Sequence, residues 1–231
     1  MQEIGKEAIM KFLLTSAGIR NPGIHQALLD LLGKPVAESS ALCISTASYA
    51  LPGGARLAWN FITGREPEIP MCQLGWKSMG VLELTALPSV ERETWAPMLQ
   101  ETDALLVNGG DPLYLCYWMR QSGLADLLPS LHGMVYVGLS AGSMVMAPHI
   151  GEEFVGWKPP TGGDETLGLV DFAMFPHLNH RMLPDNTLAN AEKWAANLRV
   201  PGYAMDDETA NKVIDGAVEV VSEGYWKLFT P

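Results

Sequence analysis

Met134-Val135-Tyr136-Val137-Gly138-Leu139-Ser140-Ala141-Gly142 begins as an apolar, β-branched run and ends in small residues around a serine. Such a run reads as a buried strand, and the small residues as a sharp turn into a helix. Working outward, Asp103 to Val107 repeats the pattern and ends on Asn108-Gly109-Gly110. Met10 to Ser16, Ala41 to Thr46 and Gly80 to Leu84 supply three further strands. Helical spacing fills the intervals. Asn21-Pro22 caps a helix carrying Ile24, Ala27, Leu28, Leu31 and Leu32, closed by Gly33 and Pro35. Leu57, Ala58, Phe61 and Ile62 mark a second helix, Val90 to Leu99 a third, and Leu113 to Arg120 with Leu124 to Leu131 a fourth and its continuation. Strands alternating with helices predict an α/β fold with a mostly parallel sheet flanked by helices.

Beyond the elbow, Gly151 to Gly168 is rich in glycine, proline and acids and predicts a surface loop. Phe172 to Phe175 predicts a core strand, and Pro184 to Leu198 a helix. Two β-rich runs flank Asp215-Gly216, the pattern of a C-terminal hairpin. The 231 residues fit one domain over 10–231, preceded by a polar leader over 1–9.

Fifteen Lys and Arg stand against 26 Asp and Glu, a formal net charge of −11. With no basic cluster, this argues against nucleic acid and anionic membranes as partners. Glycines and Pro148 interrupt the longest uncharged stretch, His132 to Ile150, so no membrane span is expected. Cys43, Cys72 and Cys116 are scattered, without a Cys-x-x-Cys pair, and the start of the chain lacks the pattern of a signal peptide. A cytoplasmic, reducing setting is expected.

Gly138-Leu139-Ser140-Ala141-Gly142 fits Gly-x-Ser-x-Gly, in which a strand-to-helix turn lifts a serine hydroxyl out of the core. The Ala141 N–H would face a developing oxyanion, and bare backbone at Gly109-Gly110 could supply a second donor. A serine needs a base and the base an orienting acid. Among five histidines, His25, His132 and His149 read as surface or capping residues, while His177 follows a predicted strand end at Phe175-Pro176 and is preferred to His180. The acid falls either in the Gly151 to Asp171 region or in Asp206-Asp207-Glu208. No phosphate-loop, dinucleotide or His-Glu-x-x-His pattern is present, so neither cofactor nor metal is expected.

Taken in order, Leu14-Thr15-Ser16, Val107-Asn108-Gly109-Gly110-Asp111, the Ser140 elbow and Phe175-Pro176-His177 resemble the peptidase E family of aspartyl dipeptidases, with cyanophycinase as a distant relative. The resemblance implies a class I glutamine amidotransferase-like fold with serine in place of cysteine. It also implies Ser140 as nucleophile, His177 as base, Asp207 as acid with Glu208 as the alternative, and Gly110 and Ala141 as oxyanion donors. The implied substrates are dipeptides or short peptides, with N-terminal aspartate met by an arginine after the histidine, here Arg181. The chain would act on them as a monomer or a homodimer. Rival readings are an esterase whose acid would be Asp164 or Asp171, a non-catalytic peptide-binding homologue, and an amidotransferase using Cys116.

Overall fold

The computed structural model describes residues 10–231, so the expected leader over 1–9 lies outside the described residues. Five strands run parallel: β1 (Lys11–Thr15), β2 (Ser40–Ile44), β3 (Ser78–Val81), β4 (Ala104–Val107) and β5 (Val135–Leu139). Two more, β8 (Thr209–Ile214) and β9 (Ala217–Ser222), continue the sheet antiparallel beyond β1, giving the order β3-β2-β4-β5-β1-β8-β9. β8 and β9 are the hairpin expected at Asp215-Gly216, where both turn residues take positive φ, 54° and 75°.

Alternation along the strands sends side chains to two helical layers. On one face Leu13, Leu106, Val135 and Val137 pack with Ile24, Ala27, Leu28 and Leu31 of α1 (Pro22–Leu32) and Phe61 of α2 (Gly54–Ile62). On the other, Phe12, Leu14, Leu105 and Tyr136 pack with Trp95 and Leu99 of α3 (Arg92–Gln100) and Leu115 and Met119 of α4 (Pro112–Gln121). β4 and β5 are buried along their whole length, as parallel strands covered on both faces must be. The Asn21 side chain caps α1 by accepting from Ile24 N–H, and Asp111 caps α4 by accepting from Leu113 and Tyr114 N–H.

The chain continues through the single turn α5 (Leu124–Leu127) and the short elbow helix α6 (Ala141–Met144). β6 (Ala173–Phe175) does not join the central sheet. It pairs with β7 (Gly202–Met205), which pairs with β10 (Trp226–Phe229), forming a separate three-stranded sheet that sequence patterning had not indicated. β6 is the strand expected at Phe172 to Phe175, while β7 and β10 have four residues each, too few for alternation to register. α7 (Leu188–Ala195) begins later than the expected Pro184, because the Thr187 side chain caps it by accepting from Asn190 N–H. No helix among the described residues is long and apolar enough to cross a membrane.

Candidate active site

The C-terminal ends of β1, β4 and β5 lie side by side, and the loops leaving them build the site. Ser140 sits immediately past β5 at φ 49° and ψ −111°, a conformation an L residue adopts only when the surroundings impose it. Several contacts do so. Ser140 N–H donates to Thr15 O (3.1 Å), Ser143 Oγ donates to the same carbonyl (2.8 Å), and Thr15 Oγ1 donates to Gly138 O (2.7 Å). Gly142 lies so close to β4 that a Cβ there would stand 2.3 Å from Val107 O.

From below, the buried Tyr136 hydroxyl donates to Gly142 O at 2.6 Å. Burial pushes the Tyr136 phenol well above its ordinary pKa, so it remains a donor at any physiological pH. Tyr136→Phe would leave the Gly142 carbonyl buried and unpaired. It is expected to cost about 1–3 kcal/mol, read as a lower midpoint in urea denaturation with an unchanged slope; an unchanged midpoint would remove Tyr136 from the support of the elbow.

Gly109 and Gly110 follow β4 and flank the serine. Gly110 has φ 142°, and a Cβ on it would fall 2.3 Å from the Ala47 carbonyl, so only glycine fits. Ser48 Oγ donates to Gly109 O (3.1 Å) and accepts from Asn108 Nδ2 (3.0 Å), which fixes the path of this loop. Among the described residues neither Gly110 N–H nor Ala141 N–H donates to a protein acceptor. Gly110 lines the cavity beside Ser140, and Ala141 follows the serine at the start of α6.

His177 enters from the loop after β6, also at positive φ (58°). Its backbone N–H donates to Ser16 Oγ at 2.7 Å, and its ring Nδ1 lies 2.7 Å from Asp207 Oδ1. Burial alone would raise the Asp207 pKa. The hydrogen bond from His177, its charge and those of His180 and Arg20 outweigh burial and hold the carboxyl below its ordinary value. An ionised carboxylate only accepts, so His177 Nδ1 donates in this hydrogen bond. Ser140 and His177 line one cavity of about 200 Å³, without a direct hydrogen bond between them among the described residues.

The neighbouring acid is placed differently. Glu208 pairs with Arg20 Nε (3.1 Å) and accepts from Asn21 Nδ2 (3.2 Å), while Asp207 alone meets His177. His180 reaches the far oxygen of Asp207 at 3.5 Å, and its Nδ1 accepts from Met182 N–H. Arg181 is exposed and does not line the cavity. Asp164 is tied to His149 and to Gly151 N–H, and exposed Asp171 lines a different cavity, so neither acid of the esterase reading meets His177. Cys116 is buried in α4, where burial pushes its thiol pKa up, away from a nucleophilic thiolate.

That other cavity, about 520 Å³, opens at the opposite edge of the sheet beside Met10, Phe12 and Val213. Among the described residues no serine or cysteine lines it with its histidine, His132, so the smaller cavity at the strands' C-terminal ends is the candidate site. Among the described residues no three His, Cys, Asp or Glu side chains gather as a metal-holding group.

The family model described as peptidase family S51 matches residues 12–221. The chain belongs to peptidase family S51. The elbow, the Gly109-Gly110 loop and the His177–Asp207 pair all fall inside the matched span, so this S51 chain is a hydrolase of the peptidase class. Two solved structures are similar. A candidate peptidase E protein from Listeria monocytogenes EGD-e superposes with a TM-score of 0.64 at 18% identity, covering 94% of this chain and 100% of its own. A peptidase from an acI-B1 Actinobacterium gives 0.64 at 19% identity, covering 96% and 94%. At those identities the likeness is one of fold. No curated protein matches the sequence.

Sequence reading missed four contributors. Thr15 and Ser16 stood in a quoted motif without a role, yet one holds the elbow and the other holds the His177 backbone. Arg20 sits 3.7 Å from Asp207 across a gap in sequence that no motif spans. Glu66, from the loop after α2, lines the cavity, and no local pattern marked it.

Proposed function

We propose that this S51 chain is a serine peptidase that hydrolyses dipeptides or other short peptides through an acyl-enzyme on Ser140. The hydrogen bond from His177 Nδ1 to Asp207, beside a serine held on a strained elbow, is the observation that carries the reading. Asp207 orients the imidazole and stabilises the imidazolium. His177 Nε2 takes the proton from Ser140 Oγ as the oxygen attacks the amide carbonyl. The tetrahedral oxyanion lies between the Gly110 and Ala141 N–H groups. His177 then protonates the leaving amine, the C–N bond breaks, and a water activated by the same base hydrolyses the ester, returning the proton to Ser140. Ser140 and His177 line the same cavity, and catalytic hydrogen bonds of this kind often tighten only in the Michaelis complex.

A cavity of about 200 Å³ suits one amino-acid residue on the acyl side and favours short peptides over folded proteins. A fluorophosphonate tests the chemistry directly, because it phosphonylates only a serine whose proton a base removes. Stoichiometric labelling at Ser140, abolished by His177→Ala, is expected; an unlabelled Ser140, or labelling indifferent to His177, would overturn the mechanism.

A further inference from the structure

The walls of the active-site cavity carry information about the acyl residue. Leu51, Leu57 and Ile69 make one side apolar, and Glu66 is the carboxylate among the lining residues. Among the described residues no lysine or arginine lines the cavity. Arg20, the guanidinium close to Asp207, is spent on Glu208, on Glu68 O and on Asp207 itself. An acidic side chain entering here would find no positive partner and would meet Glu66 within a chain of net charge −11.

Glu66 is positioned for the opposite charge. Its Oε1 accepts from Asn60 Nδ2 at 3.3 Å, and among the described residues its second oxygen takes no hydrogen bond. Its backbone carbonyl accepts from Gln73 Nε2, and the loop beyond it is tied down by Ile19 N–H to Pro70 O (2.9 Å) and by Arg20 to Glu68 O (3.1 Å). A half-buried carboxylate on a fixed loop, with one oxygen open and apolar neighbours, matches an ammonium group next to hydrocarbon.

We propose that Glu66 is the specificity-determining residue of the site, binding a protonated amine on an otherwise apolar acyl residue. This rests on the reading of the cavity as the peptidase site. The amine has two sources, the α-ammonium of an N-terminal residue or the side-chain ammonium of lysine. Either departs from the aspartate preference and the Arg181 role that the family resemblance implies.

Binding is measured by calorimetric titration on Ser140→Ala protein, with and without Glu66→Gln, using leucinamide, N-acetyl-leucinamide, N-acetyl-lysinamide and the N-acetylated amide of aspartic acid. At least one cationic ligand is expected to bind roughly tenfold more tightly than N-acetyl-leucinamide and the aspartyl amide, with Glu66→Gln removing that advantage. Leucinamide alone would identify the α-ammonium, and N-acetyl-lysinamide alone the side chain. Equal binding of all four, tighter binding of the aspartyl amide, no binding at millimolar concentration, or an advantage surviving Glu66→Gln would overturn the proposal. Because the titration needs no nucleophile, discrimination by this protein alongside an unlabelled native Ser140 would overturn the peptidase mechanism and leave the Glu66 assignment standing.

Discussion

Ser140→Ala is expected to lower kcat for short-peptide hydrolysis on the order of 10⁵-fold or more while leaving the protein folded. The size follows from removing the only atom that forms the acyl bond, after which His177 and the oxyanion donors have nothing to act through. Alanine at φ 49° bears the same backbone strain as serine, and no hydrogen bond from Ser140 Oγ to protein is lost among the described residues. Stability and activity should therefore separate: an unchanged denaturation midpoint with activity gone. Cys116 is no substitute nucleophile, being buried in α4 with its thiol pKa raised by burial. Hydrolysis of any short peptide by Ser140→Ala within tenfold of the native rate would place the chemistry elsewhere.

The middle of the central sheet was legible because its strands are continuous apolar runs bounded by turn residues. Leu105-Leu106-Val107 and Val135-Tyr136-Val137 are covered on both faces, and glycines end each run at the edge where the loops turn. Asp215-Gly216 marked the hairpin through turn chemistry alone. Of the small sheet only β6 was legible; β7 and β10 are four-residue stretches far apart in sequence, and the sheet is defined by their pairing.

The site divides in the same way. Ser140 and the Gly109-Gly110 loop announce themselves locally, because sharp turns demand small residues. The acid does not. Asp206, Asp207 and Glu208 are equivalent as a string, and a strand end separates their directions: Asp206 caps its own turn through Glu208 N–H and Thr209 Oγ1, Asp207 faces His177, and Glu208 faces Arg20. Ser16, which meets the His177 N–H across 161 residues of sequence, has no local signature either.

Asp207→Asn is expected to lower kcat at neutral pH by about 10⁴-fold. The asparagine would keep the shape and the packing, but its amide presents a donor as well as an acceptor to His177 Nδ1. A donor facing Nδ1 stabilises the tautomer whose proton sits on Nε2, and that tautomer has no lone pair to receive the Ser140 proton. The negative charge that balances the imidazolium in the transition state is lost as well. Glu208→Gln is the informative comparison, since Glu208 engages Arg20 and Asn21 instead of the imidazole and its loss should leave kcat near native. The same pair of variants carries a pH signature. With the His177 hydrogen bond outweighing burial, the folded pKa of Asp207 lies below its unfolded value. Its contribution to stability is therefore complete above the ordinary carboxylate pKa of about 4 and is lost as the pH falls through the lower folded value. The difference in unfolding free energy between native protein and Asp207→Asn should accordingly shrink in acid, as the pH falls from about 4 through the lower folded value and the native aspartate also becomes neutral. A gap that stays constant into strong acid would mean that Asp207 is not held ionised by His177, and a Glu208→Gln loss as large as that of Asp207→Asn would transfer the orienting role to the next residue.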